Sequence, residues 1–234
     1  MDLIPEILGM PWKIGDHFTG GEVLPERMIA LKHAKAERLL SNMAIKYDLL
    51  QHYVEPPAKV LDVGCGSGYG CSLLKSFGYD AHGVDTDPMV MGYAKKRPGI
   101  TYFNCKVEDL IKEHASSFDV ITCVDMIEHI HEPQQKALMK SLTTLLRPGG
   151  TLLVDTPFRE ESRSVSKHHV WELGHQDFLN LFTSNEFTDI KRFWLVRYFN
   201  TYTVCVKSPT VPVFDDTQAE MNDQIIIGVK PMTL

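Results

Sequence analysis

The run VDMIEHIHEP, Val124 to Pro133, brings carboxylates and imidazoles close together: Asp125, Glu128 and His129, then His131 and Glu132. On one helical turn Asp125, Glu128 and His129 (i, i+3, i+4) share a face, and His131 points elsewhere. Pro133 biases Glu132 away from the helical region, so the turn should be short and Glu132 need not join that face. Three readings fit these residue types. A divalent cation such as Mg2+ takes oxygen ligands, and a mixed imidazole and carboxylate set also suits Mn2+ or Zn2+. Asp125, Glu128 and His129 then supply three ligands, with His168 or His169 as a fourth. Without a metal, His129 is the general base for a hydroxyl and Glu128 orients it, because imidazole titrates near working pH. In the third reading Glu128 and His129 satisfy backbone and loop groups while Asp125 caps the turn.

A second group lies upstream in VLDVGCGSGYG, where Gly64, Gly66 and Gly68 follow an apolar run and open a helical one. A nicotinamide-binding turn places its third glycine one position later, where this chain has Tyr69, which argues against a dehydrogenase. Glycines here let the backbone come close to a ligand, and the helix start favours a carboxylate or phosphate. Asp62 can accept a hydrogen bond from an ammonium group or fix the turn. GVDTD puts Asp85 where a carboxylate captures the two ribose hydroxyls of an adenosine ligand.

These residues need a scaffold, and the pattern supplies one. KVLDV, DAHGVD, ITYF, FDVITCV and GTLLVD read as strands. Helical stretches lie between them at Tyr69–Phe77, Pro88–Lys96 and Gln134–Leu146, the last closed by RPGG. Such alternation implies a doubly wound, mostly parallel sheet with helices on both faces, here of seven strands. Before it, Leu39, Met43, Tyr47, Leu50 and Val54 recur at helical spacing and mark a packed face. Residues 1–30 form an arm, and 31–234 a single domain. After Asp155 comes the long polar stretch TPFREESRSVSKHHVWELG, in which REESR reads as solvated and Trp171 as an anchor. A helix at His175–Ser184 and a strand at DIKRFWLV follow. The last strand is TYTVCVK or DQIIIGVK, with the second favoured.

With 234 residues and 44% hydrophobic content the chain fits one large globular domain. A net charge of −6 argues against nucleic acid as a partner. Five cysteines without a CxxC pair suit a reducing compartment, and no apolar run approaches a bilayer-spanning length. The expectation is a soluble, cytoplasmic protein.

The glycine loop, Asp62 and Asp85 together resemble the class I S-adenosylmethionine-dependent methyltransferases, a Rossmann-like family, over about Leu31 to Leu195. The resemblance implies that the loop, with Cys65, holds the methionine part of S-adenosylmethionine. It places Asp85 and Thr86 at the ribose, Val107 and Glu108 of KVEDL at adenine, and Asp125 beside the cofactor. Lys106 stands where many relatives carry an acid. The element VDMIEHIHEP looks like the Glu-x-x-Glu-His element of ubiquinone-type O-methyltransferases, in which a comparable set with a distant histidine is associated with a metal. The flanks GGEVLPE and HHVWELGHQDFLNLF look like methyltransferases of surface-glycan pathways. The implied activity is methyl transfer to a hydroxyl oxygen of a small molecule or sugar, with Glu128, His129 and His169 in the chemistry. The alternatives are a small-molecule N-methyltransferase and a non-catalytic cofactor-binding subunit.

Overall fold

The computed structural model describes residues 36–164, 169–198, 201–207 and 219–232. The arm expected at residues 1–30, Lys167, His168 and residues 208–218 lie outside the described residues. Helix α1 (Ala36–Leu50) is followed by β1 (Lys59–Val63), α2 (Tyr69–Ser76), β2 (Asp80–Val84), α3 (Pro88–Ala94) and β3 (Thr101–Phe103). A 3-10 turn (Val107–Leu110) and the short α4 (Ile111–His114) lead into β4 (Phe118–Cys123). A second 3-10 turn (Ile127–His129) then precedes α5 (Glu132–Leu145) and β5 (Leu146–Pro157). The chain continues through α6 (His175–Thr183), β6 (Thr188–Tyr198), β7 (Thr201–Lys207) and β8 (Ala219–Val229).

The strands make one sheet in the order β3-β2-β1-β4-β5-β8-β6-β7. Pairing is parallel from β3 to β5 and antiparallel among β5, β8, β6 and β7. The chain winds outward from β1 to β3, returns to β4 and winds the other way. The point of reversal lies between β1 and β4, where ligands of doubly wound sheets bind at the carboxyl ends of the strands. Both candidate last strands form: DQIIIGVK, up to Val229, lies in β8, between β5 and β6, and TYTVCVK is β7. The expected seven-stranded arrangement therefore carries one further strand at its edge.

Alternation along the strands builds two cores. Val60, Val120, Leu153, Ile225 and Ile227 face one side with Tyr47 and Leu50 of α1 and Leu73 and Leu74 of α2. Leu61, Ile121, Leu152 and Ile226 face the other with Leu142 of α5 and Phe178 and Phe182 of α6. Period-2 chains buried on both faces give this near-continuous apolar pattern. Among the described residues no helix is long and apolar enough to cross a membrane.

Helix α5 begins two residues earlier than expected. Glu132 is its first residue and Pro133 sits in its first turn, where the missing N–H has no intrahelical partner to lose. The bias against a helical Glu132 is thereby overridden, with His131 in the extended capping position.

Candidate active site

Because β1, β2, β4 and β5 run parallel, Gly64, Asp85, Asp125 and Asp155 all emerge at or near one sheet edge. Gly64, Gly66 and Gly68 all have positive φ (72°, 53° and 81°), so this turn needs the conformation that side chains resist. The Gly66 amide donates to Asp85 Oδ2 at 2.9 Å and the Asp87 amide to Asp85 Oδ1 at 3.0 Å. Two backbone donors thus aim the carboxylate. From below, Arg97 donates through Nε to the Ser67 carbonyl at 2.8 Å, and its guanidinium lies 4.3 Å from the Tyr69 ring centre.

Of the two roles open to Asp62, the structure favours the bracing one. Its carboxylate is buried and accepts from Tyr47 Oη (2.9 Å), Thr122 Oγ1 (2.8 Å) and Cys71 Sγ (3.7 Å). It joins α1 to β1 and β4 beneath the loop. Burial pushes the Asp62 carboxyl up to about 6, although hydrogen bonds from Thr122 and Tyr47 oppose the shift. Cys65 is also buried, its sulfur against Met91 Sδ, so it offers the loop its backbone. Thr86 and Glu108 are exposed, and Val107 is buried. A bare glycine backbone beside an acid aimed by amides fits S-adenosylmethionine, whose methionine part needs close approach and whose ribose presents a diol.

The acidic and imidazole residues of VDMIEHIHEP do not share one face. Asp125 has φ 50° and leaves the helical path before the turn Ile127–His129 begins. Its carboxylate goes instead to Lys46 Nζ at 2.6 Å, and its amide donates to Asp155 Oδ1 at 2.8 Å. Lys46, on α1, is fully buried and also pairs with Asp155 and, at 3.1 Å, with Asp223 of β8. Burial alone would lower the Lys46 ammonium, but Asp125, Asp155 and Asp223 together hold it well above the usual lysine range. One ammonium cannot neutralise three carboxylates. Asp155 is accordingly raised by burial and by Asp125 and Asp223.

Glu128, His129 and His169 do come together. One ligand atom from each lies within 4.8 Å of the others. The His129 and His169 rings meet edge to face with centres 5.1 Å apart. The long polar stretch is brought there by backbone: the Val170 and Trp171 amides both donate to the Glu128 carbonyl, at 2.8 and 3.0 Å. Buried Gln135 of α5 seals the junction, its Nε2 donating to the Ile127 and Trp171 carbonyls, each at 2.9 Å. Glu128 is buried, and burial followed by Asp125 and Asp155 raises its carboxyl well above the usual range. Its Oε2 has no hydrogen-bond partner.

The segment REESR is not wholly solvated. Arg159 pairs with buried Glu172, Arg163 bridges the Glu172 backbone, and Ser162 Oγ donates to Asp177 Oδ2 at 2.5 Å. Sequence reasoning missed Lys46, Asp155, Asp223 and Glu172. Lys46 had a signal, since it stands on the same helical stripe as Met43, Tyr47 and Leu50, where a charge requires buried partners. Glu172, within VWEL, had none.

The family model described as "Methyltransferase domain" matches residues 33–192. A "Ubiquinone biosynthesis O-methyltransferase" of Xanthomonas campestris is 36% identical over 106 residues, which are 43% of this chain and 44% of that protein. The matched region is thus less than half the length of that relative. Among solved structures, an S-adenosylmethionine-dependent methyltransferase of Archaeoglobus fulgidus superposes with TM-score 0.64 at 17% identity, covering 81% of this chain and 94% of that one. A 1,6-didemethyltoxoflavin-N1-methyltransferase of Burkholderia thailandensis, with bound S-adenosylhomocysteine, gives 0.59 at 18%, covering 91% and 92%. With the glycine turn, the aimed Asp85 and the order of strands already established, the family match over most of the sheet places this chain in the S-adenosylmethionine-dependent methyltransferase family.

Proposed function

We propose that the protein transfers a methyl group to a hydroxyl oxygen of a small molecule or sugar, with His129 receiving the hydroxyl proton. S-adenosylmethionine supplies an already activated methyl, which leaves its sulfur as the new carbon–oxygen bond forms. The protein's task is to hold acceptor and donor in line at about 3–3.5 Å and to accept the proton. The observation that carries the reading is the meeting of Glu128, His129 and His169 at the edge that also holds the glycine turn and Asp85. His129 is exposed and therefore reachable by an acceptor, while Glu128 and His169 flank it from buried or half-buried positions. The similarity to ubiquinone biosynthesis O-methyltransferases supports oxygen as the acceptor atom.

A second reading has its own observation. Glu128, whose Oε2 has no hydrogen-bond partner, and the two imidazoles beside it make a donor set that fits a divalent cation. Glu128, His129 and His169 would hold it, without Asp125, which Lys46 has claimed. A cation there would lower the pKa of an acceptor hydroxyl.

Protein loaded with S-adenosylhomocysteine should be titrated calorimetrically with Mg2+ and Mn2+, and unloaded enzyme assayed with S-adenosylmethionine on catechol, a methyl hexoside and a primary amine. Methylated catechol or hexoside, lost in His129→Asn while cofactor binding persists, is the expected result. Methylation of the amine alone would sink the O-methyl reading. Heat of cation binding that vanishes in Glu128→Gln would establish the metal reading, and absence of heat would leave His129 acting alone.

A further inference from the structure

Glu172 is fully buried, yet both its carboxylate oxygens have cationic or imidazole neighbours. Oε1 meets His169 Nδ1 at 2.5 Å, and Oε2 pairs with the Arg159 guanidinium. Its backbone is fastened too: the Glu172 amide donates to the Arg163 carbonyl at 2.8 Å, and the Arg163 amide donates back at 2.9 Å. Each carboxylate oxygen thus has its own partner, and the backbone that carries it is bridged. We infer that Glu172 is a positioning residue, which binds the Nδ1–H of His169 and so leaves Nε2 as the nitrogen presented to Glu128 and His129.

The chemistry follows from the two ring nitrogens. A neutral imidazole carries one N–H, and the hydrogen bond made by one nitrogen decides which lone pair the other offers. A carboxylate paired with a guanidinium on one oxygen accepts on the other, so Glu172 favours the tautomer with the proton on Nδ1. The same bond fixes the ring plane, which stands edge-on to His129. Arg159 acts one step further out, holding Oε2 of Glu172 while Oε1 faces His169. The chain reads Arg159, Glu172, His169, then the pair Glu128 and His129. An outer carboxylate of this kind serves whether His169 orients an acceptor or holds a cation, and its loss typically costs about 10- to 100-fold in activity or metal affinity. The inference rests on the reading of the Glu128, His129 and His169 cluster as the reaction site.

The test uses full-length protein loaded with S-adenosylhomocysteine and labelled with 15N-histidine, as wild type and as Glu172→Gln, with melting curves to show that both fold. Wild-type His169, assigned by its absence in His169→Asn, should show a single Nδ1–H tautomer at mildly alkaline pH. In Glu172→Gln the two nitrogen shifts should move towards a tautomer mixture. Turnover of catechol should fall about tenfold with the KM for S-adenosylmethionine unchanged. Glu172→Gln should cost nothing further in a His169→Asn background. An Nε2–H tautomer in wild type, or His169 shifts that Glu172→Gln leaves in place, would overturn the inference whatever happens to turnover. Full activity in His169→Asn would instead count against the reaction site itself, and the tautomer measurement would still decide the role of Glu172.

Discussion

Gly64 shows what a single position contributes. A Cβ there would lie 2.4 Å from Met126 Cγ, in a backbone conformation with φ 72°. An L side chain in the left-handed region costs about 1–2 kcal/mol before any clash is counted. Relief would push Met126, and with it the turn that carries Glu128 and His129. Gly64→Ala is therefore expected to weaken S-adenosylhomocysteine binding by about tenfold or more, measured by calorimetry. Unchanged affinity would mean that the loop does not carry the cofactor. The same logic makes His129→Asn the more selective variant: turnover should fall by about 100-fold while cofactor affinity stays, because proton transfer contributes on that scale.

At the scale of elements, α1 is held to the sheet edge by charge as well as by packing. Lys46 is the shared partner of Asp125, Asp155 and Asp223, and so ties α1 to β5, to β8 and to the segment after β4. Removing one partner of a buried ionic group leaves the others uncompensated, at a cost of about 3–5 kcal/mol. Lys46→Met should lower unfolding stability by about that amount in urea denaturation, and adding Asp155→Asn should recover part of it. A neutral Lys46→Met would show that the cluster is already largely protonated.

For the whole molecule, the buried acids set a direction for pH dependence. Asp62 is raised from 3.8 to about 6 by burial, so the folded state holds its proton more tightly than the unfolded chain does. Its contribution to stability is complete below the unfolded value and is lost as pH rises through about 6. The difference between 3.8 and about 6 corresponds to about 3 kcal/mol. Glu128 and Asp155, raised by burial, act in the same sense. Wild-type protein is expected to lose stability as pH rises from about 4 to about 7, and Asp62→Asn to lose less over the same interval. Equal losses of unfolding free energy for the two, read from denaturant titrations at the two ends of that interval, would refute the assignment to Asp62.

What the sequence by itself determined is local or periodic. Alternating apolar runs specified the strands and the helices between them, because each must bury a face. The glycine spacing specified a turn of positive φ, and the position of Asp85 after the second strand followed from the length of one strand–helix–strand unit. The short element at Asp125 to His129 showed its residue types but not their directions, since one positive φ at Asp125 separates it from its neighbours. Only the tertiary structure decided the rest. Lys46 meets Asp155 and Asp223, and His169, itself held by Glu172, reaches His129, because parallel strands deliver distant segments to one edge and backbone hydrogen bonds from Val170 and Trp171 fasten the late stretch there. Contacts of that kind leave no period in the chain, as their partners are chosen by position in the sheet and by the electrostatic need of a buried charge for company.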